Sequence, residues 1–462
     1  MVGNRTWAET MAQFTFALRY DTIPGEVLVA ARRHLADTLA CALAAYDMQT
    51  VLALRQRTVE HAGSAAATII GSANRVAADA AAMVNGVMVR FCDANDIFVL
   101  PCGGASGHFS DGTAALLALA QQHRRTGEEL LTCLVASYEL QGAMADSIEF
   151  WSRGLHPLTN AAWVVPIAAA RIAGGTPAQA VHACAIAAAS STVWNTWIKP
   201  GPITTLKSIA PGLVGRHIVE AVELALLGVT GPKDSLETLT AFPPGSQSPG
   251  ECFEQLGQRW SMTRNMLKLY PAQVNTQAAV EAVIRLRERG VEPEQIERLV
   301  LYGHRGVCAG VQGFAAAFSP ESREAADHST PFVMALALLH GRLTPQEYEG
   351  EPWTNAPVKE ILKKIKLIID PERDRAFCEQ SVLGVRLMAE LRDGRTEEVI
   401  VHQPKGHPEA PLTEAELLQK FNWLIADVAP ALKPERLLDL CMTLSTAKDL
   451  EAILQSCKVE QP

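Results

Sequence analysis

"EVLVAARRHLADTLACALAAY", residues Glu26–Tyr46, decides the fold. Leu28, Ala31, Leu35, Leu39 and Ala42 recur at three- and four-residue steps, while Arg32, Arg33 and Asp37 point elsewhere. That is the period of an amphipathic helix with one buried stripe. The same helical text runs from about Ile23 to Leu226. Segments such as "TAALLALAQQ" (113–122), "ELLTCLVASYELQGAMA" (129–145) and "AAWVVPIAAARIAG" (161–174) are apolar on most sides. Helices of that kind lie inside a large helical core.

The pattern breaks at "AFPPGSQSPGECF" (241–253), whose Pro, Gly and Ser predict a loop. Beyond it, "IERLVLYGHRGV" (296–307), "KKIKLIIDPE" (363–372) and "GVRLMAELRDGRTEEVIVHQP" (384–404) read as strands, the last a hairpin turning at Asp393-Gly394. Helical patterns at 276–290 and 329–341 lie among them, and "TEAELLQKFNWLIADVAP" (413–430) returns to helix. The expected fold is mainly α. A large helical domain takes residues 1–264 and 405–462, and an α+β domain, 265–404, is inserted between them.

The chain has 462 residues, 48% of them hydrophobic and 20% charged, which excludes a disordered polypeptide. A net charge of -9 without a dense Lys/Arg run argues against a nucleic-acid partner. No apolar run approaches the roughly 18 residues of a membrane span. The N-terminus, "MVGNRTWAETMAQF", lacks the apolar run of a secretory signal. Ten scattered cysteines form no CxxC pair, so the expectation is reduced, mostly buried thiols and a cytoplasmic setting.

The chemistry concentrates in "NDIFVLPCGGASGHFSDGTAALLALA" (95–120) and the residues just before it. The stretch is not a phosphate loop, because GxxxxGK[ST] is absent, and its glycines follow no strand of a dinucleotide fold. Cys92, Cys102 and His108 lack the paired spacing of a metal site, and HExxH occurs nowhere. Acid-base chemistry remains. Asp93 and Asp96 are three apart, so on a helical turn they share a face. The plainer alternative is that Asn95 or Asp96 caps a helix and Asp93 is a solvated acid. His108 precedes Ser110 and Asp111, candidate N-cap residues for a helix near Thr113, and the positive helix end there favours a neutral imidazole. His156 stands in the same relation to the helix opened by Pro157. Helix N-termini attract anions, so both sites suit a carboxylated ligand. In "WNTWIKPGPITTLKSIAPGLVGRH" (194–217), Lys199 and Lys207 flank a Pro/Gly turn, and Lys207 falls among small apolar residues, as a carboxylate ligand would.

At these positions the sequence resembles the MmgE/PrpD family, which includes 2-methylcitrate dehydratases, cis-aconitate decarboxylases and an iminodisuccinate epimerase. The resemblance runs through "NGVMVRFCDANDIF", "GGASGHFSDG", "GLHPLTNAAW", "LKSIAPGLVGRHIVEAVELALLGVTGP", "LYPAQVNTQAAVEAV", "REAADHSTPFVMALALLHGRLT" and "PKGHPEAPLTEAEL", nearly the whole chain. It implies a helical domain from both chain ends, an inserted lid, and a homodimer. By motif position it implies Asp93, His108, His156 and Lys207 as catalytic residues, with Asp96, Lys268 and Gln277 on the substrate. Gln277 stands where the decarboxylase branch commonly has histidine, which favours a hydro-lyase; Phe109 stands where the family usually has proline. The implied substrate is a citrate-like di- or tricarboxylic acid. With no cysteine framework for an iron-sulfur cluster, the expected catalysis uses no cofactor and no metal. Decarboxylation or epimerisation would use the same proton-transfer groups, and a catalytically silent binding protein is the remaining class.

Overall fold

The computed structural model describes residues 5–61, 63, 65–103, 107–195, 203–240, 250–309 and 314–460. Lys199 and the Pro/Gly-rich segment 241–249 lie outside the described residues. The fold is mainly α. Its helical body begins with α1 (Trp7–Ala17), α2 (Gly25–Ala44), α3 (Gln49–Glu60), α4 (Ala78–Phe91) and α5 (Thr113–Gln122). It continues through α6 (Gly127–Ser147), α7 (Leu158–Ile172), α8 (Pro177–Ser190) and α9 (Leu206–Leu226). Helix α2 buries the expected stripe, and from His34 to Ala44 it is buried on every side. Asp37, expected away from the core, is therefore inside it and is compensated by an ion pair with buried Lys420.

Helices α4 and α9 cross at backbone contact. A Cβ added to Gly212 would sit 2.3 Å from the Met83 carbonyl oxygen, and one added to Gly86 would sit 2.9 Å from the Gly212 Cα. Only glycine permits that approach, which carries the first turn of α9, with Lys207, to the C-terminal end of α4.

Short strands β1 (Ala67–Thr68) and β2 (Arg75–Val76) pair antiparallel, as do β3 (Ile97–Phe98) and β4 (Asn265–Met266). The second pair ties the segment after α4 to the segment that carries Lys268. The main sheet contains β5 (Ile296–Gly303), β6 (Ile365–Ile369), β7 (Val385–Leu391) and β8 (Thr396–Val401) in the order β6-β5-β7-β8. Only β5 and β6 run parallel within it. Helix Gln277–Glu288 covers β7 and β8. Burial along β7 alternates residue by residue, as a strand with one face on the core requires. After the sheet, helices Glu414–Ile425 and Pro434–Met442 return to pack on α2. Lys420 of the first also donates to the Ala94 carbonyl at 2.9 Å, so the chain's end braces the loop after α4.

The thiol expectation needs one correction. Cys102 and Cys378, 276 residues apart in sequence, have Cα atoms 4.0 Å apart and are joined as a disulfide. Spacing along the chain cannot reveal a pair that only the tertiary fold brings together. No described helix is long and apolar enough to cross a membrane.

Candidate active site

Helix α4 stops at Phe91, and two residues later Asp93 takes a left-handed conformation with φ of 51°. Asp tolerates that region better than most residues, and such strain commonly accompanies a functional position. Its buried carboxylate gathers cations from three parts of the chain. Arg90 Nη1 lies 2.6 Å from Oδ1, Lys268 Nζ 2.6 Å from Oδ1, and Lys207 Nζ 3.1 Å from Oδ2. Lys207 also reaches Asp327 Oδ2 at 3.5 Å, and His328 Nδ1 contacts Asp327 while lying 3.7 Å from Asp93 Oδ2. Burial alone would push the Asp93 carboxyl up, but Arg90, Lys207 and Lys268 hold it well below the usual carboxylate range. Burial lowers the Lys268 ammonium to about 8 against the pull of Asp93.

This cluster borders a cavity of about 350 Å³, lined on the helical side by Arg90, Asp93, His108, Asp111, His156 and Lys207. Gln273, Asn275, Arg305 and Phe377 close it from the other side, and the Cys102–Cys378 bridge joins the two at its edge.

The two histidines differ in tautomer. His108 Nδ1 lies 2.6 Å from the Asp96 carbonyl oxygen, which can only accept, so Nδ1 carries the proton and Nε2 a lone pair. Nε2 is 4.0 Å from Asp93 Oδ1. Burial, with Arg90 and Lys268 nearby, lowers the His108 imidazolium well below its ordinary value. His156 is the reverse. Its Nδ1 accepts the Leu158 backbone N–H at 3.1 Å, so its neutral ring carries the proton on Nε2. Burial, then Arg90, His328 and Lys207, lowers its imidazolium to about 3. The site thus presents one neutral imidazole as acceptor and one as donor.

Asp93, His108, His156 and Lys207 are therefore brought to one cavity. Asp96, Lys268 and Gln277 do not line it. Asp96 shares no helical face with Asp93, because α4 ends before both. It turns the other way, accepting from the Ser110 hydroxyl at 2.5 Å, the Ser110 N–H at 3.1 Å and the Tyr138 hydroxyl at 2.8 Å, with His34 Nδ1 at 3.5 Å. These bonds, with the one from His108 Nδ1 to the Asp96 carbonyl, brace the His108 turn. Lys268 is paired with Asp93. The Gln277 amide donates to the carbonyls of Tyr270 and Ala272 and accepts the Tyr270 N–H at 3.1 Å, pinning the loop before the cavity-lining Gln273–Asn275. Phe109 stacks on Phe98 at 4.8 Å and meets Tyr138 edge-on, so its departure from proline fills core rather than touching the cavity.

Sequence reasoning missed Arg90, Asp327 and His328, and it misread Asp111. The cap of α5 is Gly112, without a side-chain bond, and Asp111 lies inside a 3-10 turn, Phe109–Gly112, and lines the cavity. Burial raises that carboxyl to about 7.

Asp93, Asp327 and His328 have ligand atoms within 4.8 Å of one another. Their carboxylates already face Arg90, Lys207 and Lys268, however, and a divalent cation would have to displace or repel those groups. The donor set suits an anion instead: three cationic side chains against two carboxylates leave a formal excess of positive charge.

Residues 9–244 match the MmgE/PrpD N-terminal domain, and residues 270–444 match the MmgE/PrpD C-terminal domain. The chain belongs to the MmgE/PrpD family. Its relatives include the 2-methylcitrate dehydratase of Salmonella typhimurium, 26% identical, with 93% of this chain and 91% of that protein aligned. The cis-aconitate decarboxylase of Mus musculus is 25% identical over 96% of this chain and 91% of its own length. The 2-methylcitrate dehydratase of Cupriavidus necator is 26% identical over 92% and 91%. Identities of this size leave the reaction to be argued from the site.

Proposed function

We propose that this MmgE/PrpD chain is a hydro-lyase that needs no cofactor and removes water from a citrate-like di- or tricarboxylic acid. The observation that carries the reading is the pair of neutral imidazoles of opposite tautomer beside an anion-seeking cation cluster. Eliminating water next to a carboxylate needs a base for the α-proton, and positive charge where the aci-carboxylate develops. His108 Nε2 is the base, and the imidazolium it becomes is stabilised by Asp93 and by the bound carboxylates. Lys207 and Arg90 hold the carboxylate whose charge grows, with Asp93 fixing both cations. His156 Nε2–H hydrogen-bonds to the substrate as a neutral donor. A volume of about 350 Å³ fits an acid of six or seven carbons.

A second reading, decarboxylation, is favoured by one observation: the mouse cis-aconitate decarboxylase aligns over as much of the chain as the dehydratases do. The test is a panel of 2-methylcitrate, citrate, cis-aconitate and amino-dicarboxylates, followed by ultraviolet absorbance for the new conjugated double bond and by carbon dioxide release. Dehydration supports the first reading. Carbon dioxide release supports the second.

The active form in this reading is a homodimer. Leu213, Leu224 and Leu227 share one face of α9 and its end, exposed at 36%, 41% and 82%, a surface suited to a second copy.

A further inference from the structure

Three aspartates, Asp93, Asp96 and Asp111, are buried within electrostatic reach of one another, and their compensation is unequal. Asp93 has three cations within 3.1 Å. Asp96 has two hydroxyls, a backbone N–H and the His34 ring. Asp111 has one side-chain hydrogen bond among the described residues, from Asn95 Nδ2 at 3.3 Å, and no cation within ion-pair distance. When like charges crowd a buried space, the least compensated group keeps its proton. Asp111 is also the only one of the three, apart from the fully paired Asp93, that lines the cavity.

We propose that Asp111 is the general acid of this site, holding a proton and delivering it to the hydroxyl that leaves the substrate. The proposal rests on the hydro-lyase reading. His108 Nε2 takes the α-proton, the C–H electron pair becomes the double bond, and the C–O bond breaks. The proton from Asp111 joins the departing hydroxide as water. The enzyme is left with His108 protonated and Asp111 ionised, and transfer of that proton back to Asp111 resets it. His156 cannot fill the role, because its neutral ring would have to become an imidazolate.

The groups facing Asp111 from the elements packed on its turn fix the direction of its titration. Burial raises it most; Arg90 from α4 opposes, and Asp96 and Asp93 from the loop after α4 add to the rise. Tyr138 from α6 stays protonated, raised well above its ordinary value by burial and Asp96. The acid form is therefore present below about pH 7 and lost above it.

The test pairs kinetics with infrared spectroscopy on wild type and Asp111→Asn. In wild type, kcat should fall as pH rises through about 7; in Asp111→Asn it should drop 10²–10⁴-fold and lose that alkaline limb. Independently of any substrate, wild-type protein in deuterated water should show a protonated-carboxyl band that titrates near neutrality and is missing from Asp111→Asn. An Asp111→Asn enzyme with kcat within threefold of wild type and an unchanged pH profile overturns the proposal, as does absence of the band. A titrating band in a protein that dehydrates no acid on the panel keeps the proton on Asp111 and removes the hydro-lyase reading alone.

Discussion

Replacing Asp93 with asparagine keeps the side chain's shape and removes its charge. Three cations, at 2.6, 2.6 and 3.1 Å, then face one another, and among the described residues Asp327 still pairs with Lys207. Removing one partner of a buried ion pair typically costs about 3–5 kcal/mol, because the other charge is left uncompensated. With three cations sharing this carboxylate, the loss should lie near the upper end. The pH dependence carries a sign. Asp93 is held well below its ordinary value, so its contribution is present above the unfolded-state pKa, about 4, and fades as pH falls through the folded one. Urea denaturation of wild type and Asp93→Asn at pH 7 should differ by about 3–5 kcal/mol, and the gap should shrink below pH 4. Lys268→Met should be costly alone, and in the double variant the two losses should add to less than their sum, by about 0.5–3 kcal/mol. Equal stability at pH 7 would mean that Asp93 does not hold these cations, as would a gap that widens on acidification.

Three further outcomes follow from the same geometry. Gly212→Val should push α9 off α4, displace Lys207 and cost at least about 1–3 kcal/mol, with the larger loss in activity, read from thermal unfolding and turnover. His108→Gln should lower kcat by about 10²–10⁴, whereas His156→Gln, which keeps an N–H donor, should stay within about tenfold of wild type; equal losses in steady-state assays would contradict the tautomer assignment. Asp111 has a folded pKa of about 7 against 3.8 for the free group, so its ionisation destabilises the fold as pH rises from 4 to 7. Asp111→Asn should therefore be more stable than wild type at pH 8, by at most about 4 kcal/mol, and no more stable at pH 4, as urea titrations at the two pH values would report.

Much of the fold is legible because it rests on local periodicity. The hairpin turn lies where Asp393-Gly394 predicts it, with Gly394 at a φ of 86°, and α5 coincides with its apolar segment. The site is legible only in part, because it depends on where helices end and cross. Asp93 and Asp96 look like neighbours on one helical face until α4 stops at Phe91. Arg90, in the apolar run "NGVMVRF", has no local mark of pairing with the residue three ahead. Asp327 and His328 lie in "REAADHSTPF", far along the chain, and only tertiary packing brings them to Asp93. Asp111 resembles a helix cap because Ser, Asp and Gly precede an apolar helix; the 3-10 turn redirects it to the cavity. Cys102 and Cys378 carry no paired spacing at all.

In the proposed reaction a neutral imidazole beside a cation cluster eliminates water from a carboxylic acid. The most direct test is a proton NMR time course of chelator-treated protein in deuterated water with 2-methylcitrate, citrate and cis-aconitate. One of these acids should lose or gain water, with one deuterium entering at the α-carbon in the hydration direction, and His108→Gln should show no such turnover. Carbon dioxide release or deuterium exchange without dehydration would contradict the proposed reaction, as would activity that the chelator abolishes and a metal restores.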